Sequence, residues 1–125
     1  MQNKTYSLEL PWPPTVNHFH QPVIRGKKAI CIKNSKVEIY QREVIVLLRK
    51  LGLHKEKIDK PVLFFVRMHP KTRGIYDKSN FLKAFEDALV MGGFLKDDHL
   101  ISYSGIYGGE PVKGGKIQLE VAVNG

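Results

Sequence analysis

Apolar and polar positions alternate at the start of the chain and then change period. In residues 5–10, TYSLEL, Tyr6, Leu8 and Leu10 share one face, the two-residue period of a half-buried strand. The prolines of PWPP end it, because proline has no N–H to give to a ladder. PVIRGKKAICIK predicts a hairpin with its tip at Arg25 to Lys28. Ser35 and Glu38 have the spacing of a capping box, and Val37, Tyr40, Val44, Leu47, Leu48 and Leu51 follow at helical spacing until Gly52. After the polar connector LHKEKIDK, Pro61 opens VLFFVRMH, a continuous apolar run that predicts a central strand buried on both faces. Phe81, Ala84, Phe85, Ala88 and Leu89 recur at i, i+3, i+4, i+7 and i+8, which predicts a second helix from near Ser79 to the Gly92 and Gly93 stop. LISYSGIYGG and KIQLEVAV read as two last strands, with EPVKGG as the turn between them. The order is strand, hairpin, helix, strand, helix, strand, strand. With no internal repeat, low-complexity tract or linker, residues 1–125 read as a single α/β domain, a mixed sheet with two main helices.

Charge adds a direction to this frame. Twenty Lys and Arg against twelve Asp and Glu leave a net charge of +8, an excess that suits a polyanionic partner such as nucleic acid as well as a merely solvated basic surface. The hairpin tip concentrates Arg25, Lys27 and Lys28, and the loop PKTRGIY before the second helix carries Lys71 and Arg73. Either cluster can reach along a phosphate backbone. One cysteine, Cys31, cannot form an intrachain disulfide. No apolar run approaches the roughly 20 residues of a membrane span and no secretory leader pattern opens the chain, so the expectation is a soluble cytoplasmic protein without membrane contact.

The second helix is bracketed by acids: Asp77 stands just before it, and Asp97 and Asp98 follow the glycines. Acids on one rim of a basic protein weaken binding to a polyanion, and a divalent cation resolves that conflict. Mg²⁺ (or Mn²⁺) takes one or two carboxylates with waters and phosphate oxygens, and activates water for displacement at phosphorus. Asp77 and Asp98 are the candidate ligands with Asp97 beside them, and Lys83 could stabilise negative charge at the phosphate. This requires the chain after the helix to double back along it. Each residue also has a plainer use. Asp77 or Ser79 can cap the helix, Asp97 and Asp98 can form a turn before a strand, and Lys83 can pair with Asp87 four residues on. His18, His20, His99 and Cys31 lack the paired spacing of a zinc site. No phosphate-binding glycine loop or dinucleotide fingerprint is present, so no small-molecule cofactor is expected.

Taken together, LPWPPTVN, the basic loop leading into D-x-x-N-x-x-K-A-x-x-D-A-L, and G-F-x-x-D-D resemble the RusA-type Holliday junction resolvases of phages and prophages, in family order across nearly the whole chain. The resemblance implies a small α/β homodimer that binds four-way DNA junctions and nicks two strands symmetrically with Mg²⁺, in DNA recombination and repair. Carried over by position, it assigns Asp77, Lys83 and Asp98 as catalytic and Asp77, Asp98 and position 79 as metal-binding, with Asp97, beside Asp98, kept as a further candidate ligand. Asn17, Lys71, Arg73, Lys78 and the hairpin cations Arg25, Lys27 and Lys28 are the expected DNA contacts. Position 79 departs from the pattern, because the family's second motif aspartate is a serine here. Ser79 could ligate directly or through a water, Glu86 could lean in as a substitute carboxylate, or the protein could bind junctions without cutting them.

Overall fold

A computed structural model of the chain describes residues 4–14, 20–25, 28–33, 35–73 and 79–124; for 20–25, 28–33, 35, 79 and 80 it describes the backbone alone. The elements are β1 (Lys4–Pro11), β2 (His20–Arg25), β3 (Lys28–Lys33), α1 (Ser35–Leu51), β4 (Val62–His69), α2 (Ser79–Met91), a 3-10 turn (Asp98–Leu100), β5 (Ile101–Gly108) and β6 (Lys116–Val123). Four strands form one mixed sheet in the order β1-β6-β4-β5, with β4 and β5 parallel and the other pairs antiparallel. β2 and β3 pair with each other as a separate hairpin, Arg25 opposite Lys28 at its tip. The α/β class and both helices match the sequence expectation.

Both helices lie on the same face of the sheet. Tyr40, Val44 and Leu48 of α1 and Phe81, Ala84, Phe85, Ala88 and Leu89 of α2 join one core with Leu8, Leu10, Phe64, Val66, Met68, Ile117, Leu119 and Val121 of the strands. Leu51, assigned to the buried stripe of α1 by its spacing, instead stands half exposed in the helix's last turn.

The expectation that β4 is buried on both faces does not hold. Burial alternates along it: Val62, Phe64, Val66 and Met68 point into the core, while Leu63 is 44% exposed and Arg67 is exposed. β4 does lie inside the sheet, but among the described residues no helix covers the far side. An apolar run therefore reported a central position in the sheet, not a second covering layer.

β5 carries one irregularity that shapes the site. Phe64 pairs with Tyr103 but Phe65 pairs with Gly105, so Ser104 is an extra residue, and its hydroxyl donates to the Phe64 carbonyl at 3.3 Å. The bulge changes the strand's phase: Ile101 and Tyr103 face the core before it, and Ile106 faces the core after it.

The return from α2 depends on Gly93. Its φ of +85° is left-handed, and a Cβ there would meet the His54 carbonyl oxygen at 2.0 Å. That close approach lets Lys57 N–H bond to Gly93 O at 2.8 Å and Ile58 N–H to Phe94 O at 3.0 Å. The chain then turns back toward α2 at Asp97 and Asp98.

Candidate active site

α2 buries the stripe through Phe81, Phe85 and Ala88, which leaves Lys83, Glu86 and Asp87 at its margin. Lys83 Nζ donates to Asp98 Oδ2 at 2.8 Å and lies 3.0 Å from Asp87 Oδ1. Helix and returning chain thus do meet. Asp98 first, and then Asp87, hold the ammonium well above the ordinary lysine value, so Lys83 stays charged at any working pH.

The neighbouring acids are not equivalent. Glu86 accepts from the Tyr103 hydroxyl at 2.5 Å, and its burial pushes its pKa up from the usual carboxylate value. That bond ties it to β5. Asp97 caps the 3-10 turn, accepting from the His99 backbone N–H at 3.2 Å and lying 3.1 Å from His99 Nδ1. These contacts, the His99 side chain foremost, hold Asp97 down to about 2. Asp87, Asp97 and Asp98 line one open cleft of about 280 Å³ with Gln41, Val90, Met91 and Lys96.

Sequence spacing read Asp87 only as a helix-face partner for Lys83. The pairing is real, but the same carboxylate also faces the cleft that holds Asp98. The Glu86 bond to Tyr103 had no local signal at all, since it joins residues 17 apart through a bulged strand.

On the basic side, Lys71 and Arg73 are exposed, and Arg73 lies 3.6 Å from Glu110. Their loop rests on the β5–β6 connection, where Val112 N–H bonds to Pro70 O at 2.9 Å. Gly115, at φ +72°, permits the approach, since a Cβ would press on Trp12 and the Lys71 stem. Arg25 and Lys28 sit at the β2–β3 turn by backbone register. Ser79 opens α2, so its backbone lies one turn before Lys83, about 6 Å along the axis. Asn17, Lys27, Asp77 and Lys78 lie outside the described residues, as does His18. Among the described residues no group of three or more His, Cys, Asp or Glu is gathered to hold a metal ion.

Comparison with known proteins settles the lineage. Residues 11–124 match the family model of the endodeoxyribonuclease RusA, nearly the whole chain. The chain belongs to the RusA family. A RusA crossover junction endodeoxyribonuclease of Escherichia coli O139:H28 is 30% identical over 117 residues, covering 94% of this chain and 93% of that protein. The enzymes of the same name from Escherichia coli K12 and Enterobacteria phage 82 are each 28% identical over 121 residues, or 97% of both chains in each comparison. Family membership places Lys83, Asp87 and Asp98 within the matched region, and their convergence is the geometry from which this member's function can be argued. No helix among the described residues is long and apolar enough to cross a membrane.

Proposed function

We propose that this RusA-family protein is a divalent-metal-dependent endonuclease that binds four-way DNA junctions as a homodimer and resolves them by paired symmetric nicks. The observation that carries the reading is the Lys83 to Asp98 contact, which brings the helix and the acidic pair to one point.

The residues fit a hard divalent cation. Asp98 and Asp87 already gather around one positive charge, the Lys83 ammonium, beside an open cleft. Mg²⁺ needs only one or two carboxylates, with waters and phosphate oxygens completing its shell, so Asp98 and Asp77 would suffice, with Asp97 and position 79 as further candidate ligands. When bound, the metal supplies Lewis-acid polarisation of the phosphoryl group and a water of lowered pKa.

The chain's own residues supply the rest. Lys83, held protonated, would stabilise the negative charge that develops at the phosphate or the leaving oxygen. Glu86, sheltered and bonded to Tyr103, fixes the rotation of α2 against β5. Lys71 and Arg73 are exposed and would meet phosphates beyond the site, and Asn17, Arg25, Lys27, Lys28 and Lys78 are the further candidate DNA contacts. Phosphate contacts of this kind release counterions, so binding weakens as salt rises.

A junction offers two equivalent strands, and a twofold pair of chains places two identical sites on it. The sheet face turned away from the helices suits that pairing. Leu63 and Tyr107 are exposed there, and Arg67 lines the same groove as Glu9 and Glu120, so a twofold copy can meet it with opposite charges. Light scattering should give twice the chain mass at micromolar concentration; a monomer throughout would remove the symmetric mechanism.

Ser79 favours a second reading, a junction-binding member that cuts weakly or not at all, because a hydroxyl is a poorer Mg²⁺ ligand than a carboxylate. One experiment separates the two. A synthetic four-way junction is incubated with protein, with and without Mg²⁺ or Mn²⁺, and resolved on a denaturing gel. Metal-dependent nicks are expected, with Ser79→Asp faster by about tenfold, the effect of ~1.4 kcal/mol of added transition-state stabilisation. Salt-sensitive binding with no nicks in either protein would leave only the binder.

A further inference from the structure

We propose that Asp87 is a positioning residue for Lys83: its carboxylate keeps the ammonium in the site when Asp98 is given over to a metal ion. The inference rests on the roles of Asp98 and Lys83 proposed above.

Lys83 is shared between two carboxylates of different standing. Asp98 reaches it from the chain that returns through Gly93, at 2.8 Å. Asp87 reaches it from the next turn of the same helix, at 3.0 Å, so that contact is set by helix geometry whatever Asp98 does. Asp87 is also the more sheltered acid, 23% exposed against 34% for Asp98, and is followed by the fully buried Ala88 and Leu89.

Charge explains why two acids are needed. Lys83 and Asp98 alone cancel, offering no net charge to a cation. With Asp87 the three groups carry −1 (one positive, two negative), so a metal ion can take Asp98 while the ammonium keeps a counter-charge. Without Asp87, Lys83 would have to share Asp98 with the metal, and the two cations would repel each other across that carboxylate. Lys83 is 52% exposed on a flexible stem and would swing into solvent. The other nearby acids cannot replace Asp87. Glu86 is bonded to Tyr103 and Asp97 is engaged by His99.

The test follows Lys83 itself. Full-length wild type, Asp87→Asn, Asp87→Glu and Asp98→Asn are treated with a lysine-acylating reagent, with and without Mn²⁺, and the rate at Lys83 is read by mass spectrometry. Mn²⁺ affinity by calorimetry and the kcat and KM for junction nicking are measured alongside. In wild type, acylation of Lys83 should be slow in both conditions. In Asp87→Asn it should be slow without metal, because Asp98 still holds the amine, and several-fold faster with Mn²⁺. That variant should keep its Mn²⁺ affinity and its KM but lose about 10- to 100-fold in kcat, the usual cost of removing a group that orients a site residue. Asp87→Glu, which still reaches Lys83 across one turn, should restore most of it.

Lys83 reactivity in Asp87→Asn that ignores Mn²⁺ would overturn the proposal. So would a loss of Mn²⁺ affinity as large as that of Asp98→Asn, which would make Asp87 a ligand. Failure of the parent reading looks different, because it appears in the unsubstituted protein, which would then neither bind Mn²⁺ nor nick junctions.

Discussion

Replacing Asp98 with asparagine should lower junction nicking by about 10²- to 10³-fold or more while leaving junction binding at or above the wild-type level. Asparagine keeps the shape and one acceptor oxygen but removes the charge that a divalent cation requires. The fold should not notice the change. Asp98 is a third exposed, the turn it begins is capped by Asp97, and Lys83 retains its partner on α2. Binding has reason to improve, because loss of one acid takes the net charge from +8 to +9 on a surface that faces a polyanion. The measurement is single-turnover cleavage of a synthetic four-way junction in Mg²⁺, with affinity for the same junction read at several salt concentrations. The slope of affinity against salt should match wild type, since no phosphate contact is removed. Cleavage at the normal rate would mean that Asp98 holds no catalytic charge, and the meeting with Lys83 would be a surface ion pair worth little.

The frame of this protein was legible because most of its elements keep a clean period. α1 and α2 were both bounded correctly from their apolar stripes, and the hairpin from two apolar runs about a basic, glycine-containing tip. Where the period was lost, the reading failed or went silent. VLFFV has no alternation, and the structure shows why: Leu63 and Phe65 are apolar residues on the face turned away from both helices. LISYSGIYGG alternates only up to Ser104, where the bulge reverses which residues point inward, so Tyr103 could not be assigned to the core side or linked to Glu86 from spacing.

The site was half legible for a related reason. Local sequence could name Lys83, Asp97 and Asp98, because short motifs carry residue types. It put Asp98 ahead of Asp97 but could not show that they differ in direction: one turns to His99 and the other to Lys83. Nor could it show that Asp87 belongs with them, since an acid four residues after a lysine is the commonest of helix-surface pairs. What joins these residues is the tight return at Gly93, and its constraint is a backbone approach to His54 that no spacing encodes.

Truncating Phe85 to alanine should be the most damaging change to the fold, costing about 3–5 kcal/mol. Phe85 is fully buried, and its ring stacks on Phe64 of β4 with centroids 6.4 Å apart and planes 21° from parallel. It seats α2 on the sheet at the level where the helix presents Lys83, Glu86 and Asp87. A domain of this size has about 5–15 kcal/mol in hand, so the loss is a large fraction of the whole. The melting temperature should fall by about 10–20 °C, and the urea midpoint should fall with an unchanged slope. Activity should fall as well, through a helix that no longer holds its turn against β5, and cooling should recover part of it. Asp98→Asn should show the opposite pattern, an unchanged melt with no cleavage at any temperature. A Phe85→Ala protein destabilised by less than about 1 kcal/mol would mean the cavity collapses freely. The packing of α2 could then not be what fixes Lys83 between its two carboxylates.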